Sequence, residues 1–202
     1  GNYAHEGECW NFPTSTSVPK PVQGPYPPMW LAARDPASHD FAIKSGCHVM
    51  VTPLFKSDDE VADLMDKYHT ACANNPEVTP PKVMCLRHTY VHDDEDGWKV
   101  GVNGIRRWYS YFQGWFRNDQ EPQNGFCQPI SEDELNEMAD FAPEVLRDNL
   151  MIGKPEQIIE RLKHYEELGV TEYSFWSDNS LSHEEKKRSL ELFIEKVVPA
   201  FK

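Results

Sequence analysis

Two rhythms alternate along the chain. Short, nearly continuous apolar runs fall at Met29 to Ala33, at Cys47 to Leu54 (CHVMVTPL), at Lys82 to Val91 (KVMCLRHTYV) and at Thr171 to Trp176 (TEYSFW). Runs of this length, edged by turn residues such as Gly46 and Pro53, predict buried parallel strands. Between them the apolar positions spread to helical spacing: Val61, Leu64, Met65 and Tyr68, then Ile158, Ile159, Leu162 and Tyr165, then Leu190, Phe193, Ile194 and Val197. Each stripe predicts an amphipathic helix with one face on a sheet.

The helix starts carry their own signatures. Ser57 to Glu60, Ser131 to Glu134 and Ser182 to Glu185 have the spacing of a capping box, in which a serine and a glutamate three residues later satisfy the free amides of a first turn. Pro155 suits a first helical position and Gly169 a helix stop. The resulting order is strand, helix, strand, helix, strand, a longer mixed segment, helix, strand, helix. It predicts an α/β fold of parallel β/α units with four strands. Residues 1–28 are rich in proline and poor in apolar periods, predicting an extended lead-in. Residues 97–153 break the rhythm as a long insertion: WKVGVNGIRRWYSYFQGW predicts an aromatic helix and RNDQEPQNGFCQP a loop.

Composition narrows the class. With 202 residues, 39% apolar and 26% charged, the chain suits one globular domain. No apolar run long enough to span a bilayer and no charged-then-apolar leader is present, so a soluble protein is expected, with no membrane partner. Five dispersed cysteines, none in CxxC spacing, argue against a disulfide framework or a zinc cage and for reduced thiols in the cytoplasm. A formal charge of -13 opposes binding to nucleic acid, whose affinity comes largely from lysine and arginine. The chain opens with Gly-Asn instead of Met, which fits a processed end, a cloning remnant or the edge of a longer parent.

The sharpest local feature is Arg34-Asp35-Pro36-Ala37-Ser38, where a predicted strand turns into a predicted helix. The carboxyl ends of parallel strands are where β/α proteins place ligands, and a helix start there offers unpartnered amides to a phosphate. Ser38 and Arg34 suit such a site. Asp35 competes for the same amides, so two readings stand: an anion site, or a helix cap beside a solvated arginine.

PKPVQGPYPPMWLAARDPASHDFAIKSG followed by an apolar strand resembles the middle of the bacterial luciferase-like flavin monooxygenases. MIGKPEQIIERLKHYEELGVTEYSFW and SLELFIEKVVPAF resemble that family's last strand and closing helices, and HEGECWNFP the stretch before its fifth strand. The resemblance implies a (β/α)8 barrel of TIM-barrel type, of which this chain supplies strands five to eight. It implies reduced FMN, or a deazaflavin, as cofactor, with oxygen and a small organic molecule as reactants. Ala33, Arg34, Asp35 and Ser38 are then expected at the flavin phosphate, and Met50, Val51 and Thr52 along its ring. The long insertion matches the place where the family carries a mobile loop over the flavin.

No nicotinamide fingerprint, phosphate-binding GxxxxGK[ST] loop or nucleophile elbow occurs, so the reduced flavin is expected from a separate reductase. Half a barrel leaves sheet edges and one face uncovered, so the chain is expected to pair with a copy of itself or with the missing barrel half. A noncatalytic flavin-binding or assembly protein, or a deazaflavin-dependent oxidoreductase, is the alternative. No catalytic residue is assigned. His88 and His92 lie near Asp93, Asp94 and Glu95, but four residues along a strand separate two side chains by roughly 13 Å, too far for one metal ion. His88 is either a hydrogen-bonded structural histidine or one facing the barrel mouth, and Trp176 either core or a neighbour of the cofactor. Trp108, Tyr109, Tyr111, Phe112, Trp115 and Phe116 crowd more than one helix face, predicting an interface between chains or a substrate-facing surface.

Overall fold

The computed structural model describes residues 2–117 and 120–201. An antiparallel hairpin, β1 (Tyr3–Glu6) and β2 (Asn11–Ser15), opens the chain. The main sheet is parallel throughout: β3 (Trp30–Ala32) pairs β4 (His48–Val51), β4 pairs β5 (Val83–Val91), and β5 also pairs β6 (Met151–Gly153) and β7 (Glu172–Trp176). Nine-residue β5 is the hub. Val83 to Cys85 face β4, Met84 to His88 face β7, and Thr89 to Val91 run on to meet β6.

The helices between strands follow the stripes in the sequence: α1 (Pro36–Lys44), α2 (Asp58–Asn74), α3 (Gly97–Gly114), α4 (Glu132–Glu137), α5 (Pro143–Asn149), α6 (Pro155–Glu167) and α7 (His183–Leu192). Pro155 opens α6, and Gly169 adopts φ +96 just after it, a conformation that favours glycine. The Ser131 and Ser182 capping boxes are both closed by their glutamates. The Ser57 box is not, because Glu60 is bonded to Arg34 at 2.6 Å instead of returning to its own helix start.

Two cores result from the alternation of side chains along the strands. Val49, Val51, Val83, Cys85 and Val91 point to the helix side and pack with Ala42, Ile43, Val61, Leu64, Met65, Ile158 and Tyr165. The second core belongs to the insertion: Tyr90 and Ile152 pack against Val102, Ile105 and Tyr109 of α3 and against Leu135, Phe141 and Leu146. The opposite sheet face, at His48, Met50, Met84, Leu86 and Ser174, is only half-buried.

Two sequence expectations need correction. The extended lead-in contains the β1–β2 hairpin, whose strands are largely exposed and lack an apolar period; the rings of Tyr3, His5 and Phe12 pack on one another. The main sheet has five strands where four were expected, since β6 is three residues long and borrows its stability from the protruding end of β5. In the 97–153 insertion the expected aromatic helix forms as α3 and the Ser131 box opens α4, and with α5 they build a core of their own.

Candidate functional site

The Arg34 to Ser38 corner lies where the sequence places it, between β3 and α1. Ala33 is buried and donates its amide to Met50 O at 2.9 Å, which ties the turn to β4. Asp35 is the helix cap: its carboxylate accepts from the Ser38 amide at 2.9 Å, and the Ser38 hydroxyl donates back to it. The Ser38 Oγ also accepts from the amides of Arg34 and Asp35, at 3.1 and 3.2 Å. These bonds from Ser38 hold the Asp35 carboxyl below the usual carboxylate range. Amides that a phosphate would seek are thus engaged already, that of Ser38 by Asp35 and those of Arg34 and Asp35 by Ser38.

Arg34 is exposed but paired. Its guanidinium donates to Thr52 O at 2.8 Å and to Glu60 Oε1 at 2.6 Å, spanning the carboxyl ends of β3 and β4 and the first turn of α2. Half of the side chain stays exposed, leaving further donors of its planar fork toward solvent. Met50 and Thr52 are half-buried at the end of β4, beside this corner. The Val51 side chain instead lies in the helix-side core at 1% exposure, so only its backbone is available to a ligand on the inner face.

A buried ion cluster locks the insertion to the sheet. Asp58, at the start of α2, accepts from Arg161 through Nε at 2.9 Å and Nη2 at 2.7 Å, and from the Tyr165 hydroxyl at 2.5 Å. Arg87 of β5, fully buried, reaches the same carboxylate at 3.4 Å. Both arginines also donate to the Asn149 carbonyl, and Arg161 to the Leu150 carbonyl. Burial works to raise the Asp58 carboxyl, but the paired Arg161, Tyr165 and Arg87 bring it below its ordinary value. The end of α5 and the start of β6 are held there.

At the opposite face of β5, His88 sits in an aromatic nest. Its ring stacks on Trp176 with centroids 3.9 Å apart and planes 15° apart. Trp108 and Tyr109 of α3 meet it edge-on at 4.9 and 5.2 Å, and Trp108 also meets Trp176 at 5.0 Å. The His88 Nδ1 is 2.5 Å from Asn179 Oδ1. Because the Asn179 amide nitrogen donates to the carbonyls of Trp176 at 2.9 Å and Thr89 at 3.3 Å, its oxygen must accept and His88 Nδ1 must carry the proton. The His88 Nε2 is therefore a lone pair, buried and unpartnered, as is the Tyr109 hydroxyl. Burial drops the His88 pKa to about 4, so the ring is neutral.

Neither the stack nor Asn179 was legible in the sequence as a site. The aromatic run on α3 divides: Trp108, Tyr109 and Phe112 turn inward, while Tyr111, Trp115 and Phe116 are exposed. His92 takes no part in the nest, its Nδ1 bonding Asp94 O at 2.9 Å. Cys85 is buried on the helix side, with its thiol pushed up to about 12 by burial. No helix among the described residues is long and apolar enough to cross a membrane.

Comparison with known proteins gives this geometry a context. The family model described as luciferase-like monooxygenase matches residues 1–172. The chain is 47% identical over 201 residues to the oxygenase component of a flavin-dependent trigonelline monooxygenase from Acinetobacter baylyi, covering 100% of this chain and 56% of that protein. Among solved structures, monooxygenase RslO1 from Streptomyces bottropensis superposes with a TM-score of 0.72 at 19% identity, over 99% of this chain and 56% of that one. The oxygenating constituent of 3,6-diketocamphane monooxygenase from Pseudomonas putida, in complex with FMN, superposes with a TM-score of 0.62 at 17% identity, over 99% of this chain and 58% of that one. The chain thus spans little more than half the length of the relatives it matches.

Proposed function

The chain belongs to the luciferase-like monooxygenase family, and from that premise we propose that it is the phosphate-anchoring half of a flavin-dependent oxygenase component. On this reading β3, β4, β5 and β7 are strands five to eight of a (β/α)8 barrel. The observation that carries the proposal is the 47% identity, sustained over the whole chain, to an oxygenase component. Oxygen and a small N-methylpyridinium carboxylate such as trigonelline are the reactants we assign by that likeness. A separate reductase is the partner that the words "oxygenase component" suggest.

The corner supports a phosphate in a modified form. Asp35 engages the Ser38 amide and takes the Ser38 hydroxyl proton, so the phosphate contacts left are the exposed donors of Arg34. Arg34 is oriented by Thr52 O and Glu60 and needs little reordering to serve. Ala33 and Met50 set the turn, while Met50, Met84 and Leu86 offer the half-buried apolar wall on which a flat ring system can lie. Bound reduced FMN would supply the electrons for oxygen activation. The aromatic side chains of α3 and β7 would exclude water from the carboxyl end of the sheet, which a reactive oxygen species requires.

Titration with FMN and with reduced FMN tests this. Binding, with oxygen uptake coupled to loss of N-methylnicotinate, is the expected result. Binding without turnover would favour a noncatalytic flavin-binding half-barrel. Arg34→Ala combined with Ser38→Ala should weaken FMN affinity, and unchanged affinity would remove the phosphate site.

A further inference from the structure

The aromatic nest calls for a ligand of particular chemistry. Trp176 ends β7 on the half-buried inner face of the sheet, backed by the stacked His88 ring and flanked by the edge of Trp108. The indole remains partly exposed, as does Trp108. We propose that Trp176, backed by His88 and flanked by Trp108, seats a planar cationic ring of the N-alkylpyridinium class, held by ring stacking and cation–π attraction instead of by a counter-charge. This deepens the oxygenase reading and rests on it for the identity of the natural ligand.

Electrostatics at the nest favour a cation. An imidazolium behind Trp176 would repel one, but His88 is kept neutral: its single proton is committed to Asn179, and burial disfavours a second. The unsatisfied atom that the ring retains is a lone pair. Arg87, the buried cation next to His88 in β5, leaves the strand on the other face and is engaged by Asp58 and backbone carbonyls, and buried Arg106 is engaged by Phe141 O and Asn136. An indole is the best aromatic partner for a cation, and a flat delocalised one can also stack on it. The formal charge of -13 adds a long-range attraction for cationic ligands. Asn179 and His88 are positioning residues here, since they act on the ligand through Trp176.

Calorimetric titration of the 202-residue chain, without flavin, provides the test. The probes are N-methylnicotinate, its neutral-ring isostere 3-methylbenzoate, and N-methylpyridinium, which has the cation without the carboxylate. The expected result is that N-methylnicotinate binds about tenfold more tightly than 3-methylbenzoate, a preference lost in Trp176→Leu and partly kept in Trp176→Phe. The phenylalanine variant preserves the test if the leucine variant fails to fold. Equal affinities for the two isosteres, or a preference that survives Trp176→Leu, would overturn the seat. If FMN binds at Arg34 and no pyridinium shows a Trp176-dependent preference, the seat fails and the flavin reading stands. If N-methylpyridinium binds in a Trp176-dependent way and FMN does not bind at all, the seat stands and the flavin reading fails.

Discussion

Arg34 at the end of β3 is paired with Glu60 in the first turn of α2 at 2.6 Å, across the carboxyl edge of the sheet. The pair joins two consecutive β/α units at the point where the proposed cofactor phosphate would sit. It also sets a competition, because Glu60 and a phosphate seek the same guanidinium. Glu60→Gln should therefore raise FMN affinity a few-fold, whereas Arg34→Ala should lower it about tenfold, consistent with the loss of one charge-assisted contact. Fluorescence titration at low and high salt would check both, and equal affinities in the two variants would remove Arg34 from the site.

His88 makes stability depend on pH. Its folded pKa, about 4, lies below the ordinary 6.5, so the unfolded chain takes up a proton that the folded chain refuses. The associated stability is fully present above pH 6.5 and falls as pH drops toward 4, by on the order of 3 kcal/mol. His88→Gln should flatten this part of the profile in urea unfolding followed from pH 7 to pH 4. An unchanged slope would mean that the ring is not neutral.

Asp58 holds two arginines and a tyrosine in a largely buried cluster. Asp58→Asn leaves Arg87 and Arg161 uncompensated, and the expected loss is about 3 kcal/mol in urea unfolding. Asp58→Asn with Arg161→Met should recover part of it, because the second change removes one stranded charge. A double variant no better than the single would show that the cluster is not energetically coupled.

Gly104 lets α3 lie directly on the segment that carries Asn179. A Cβ there would meet Asn179 O at 2.7 Å and a Leu181 methyl at 2.5 Å, and the backbone atom cannot swing aside. Gly104→Ala should destabilise by ~1–3 kcal/mol. It should also shift the tryptophan near-ultraviolet dichroism, since Asn179 orients the ring that stacks on Trp176. Loss of stability with an unaltered aromatic signal would separate the helix contact from the nest.

The corner at Arg34 shows where reading the sequence works and where it stops. Its position at a strand end and helix start follows from local patterns, and the capping role of Asp35 was one of the two readings those patterns offered, because both depend on residues within four positions of one another. That Arg34 would be paired followed from nothing local: Glu60 stands 26 residues away and suited a capping box of its own. The same contrast separates α3 from its aromatics. Its helical character is legible, but which rings turn inward depends on His88 and Trp176, which reach it from two different strands.

By itself the sequence determined the α/β order, the strands of the main sheet other than short β6 and most helix starts, and it offered the cap at Asp35 as one of two readings, because propensity, periodicity and capping act over a few residues. Tertiary structure alone decided the pairing of Arg34 with Glu60, the tautomer of His88, the split of the α3 aromatics and the locking of the insertion through Asp58. Those depend on long-range contacts between β5, β7, α2, α3 and α6, and the direction of a side chain in such a contact is set by the packing of whole elements.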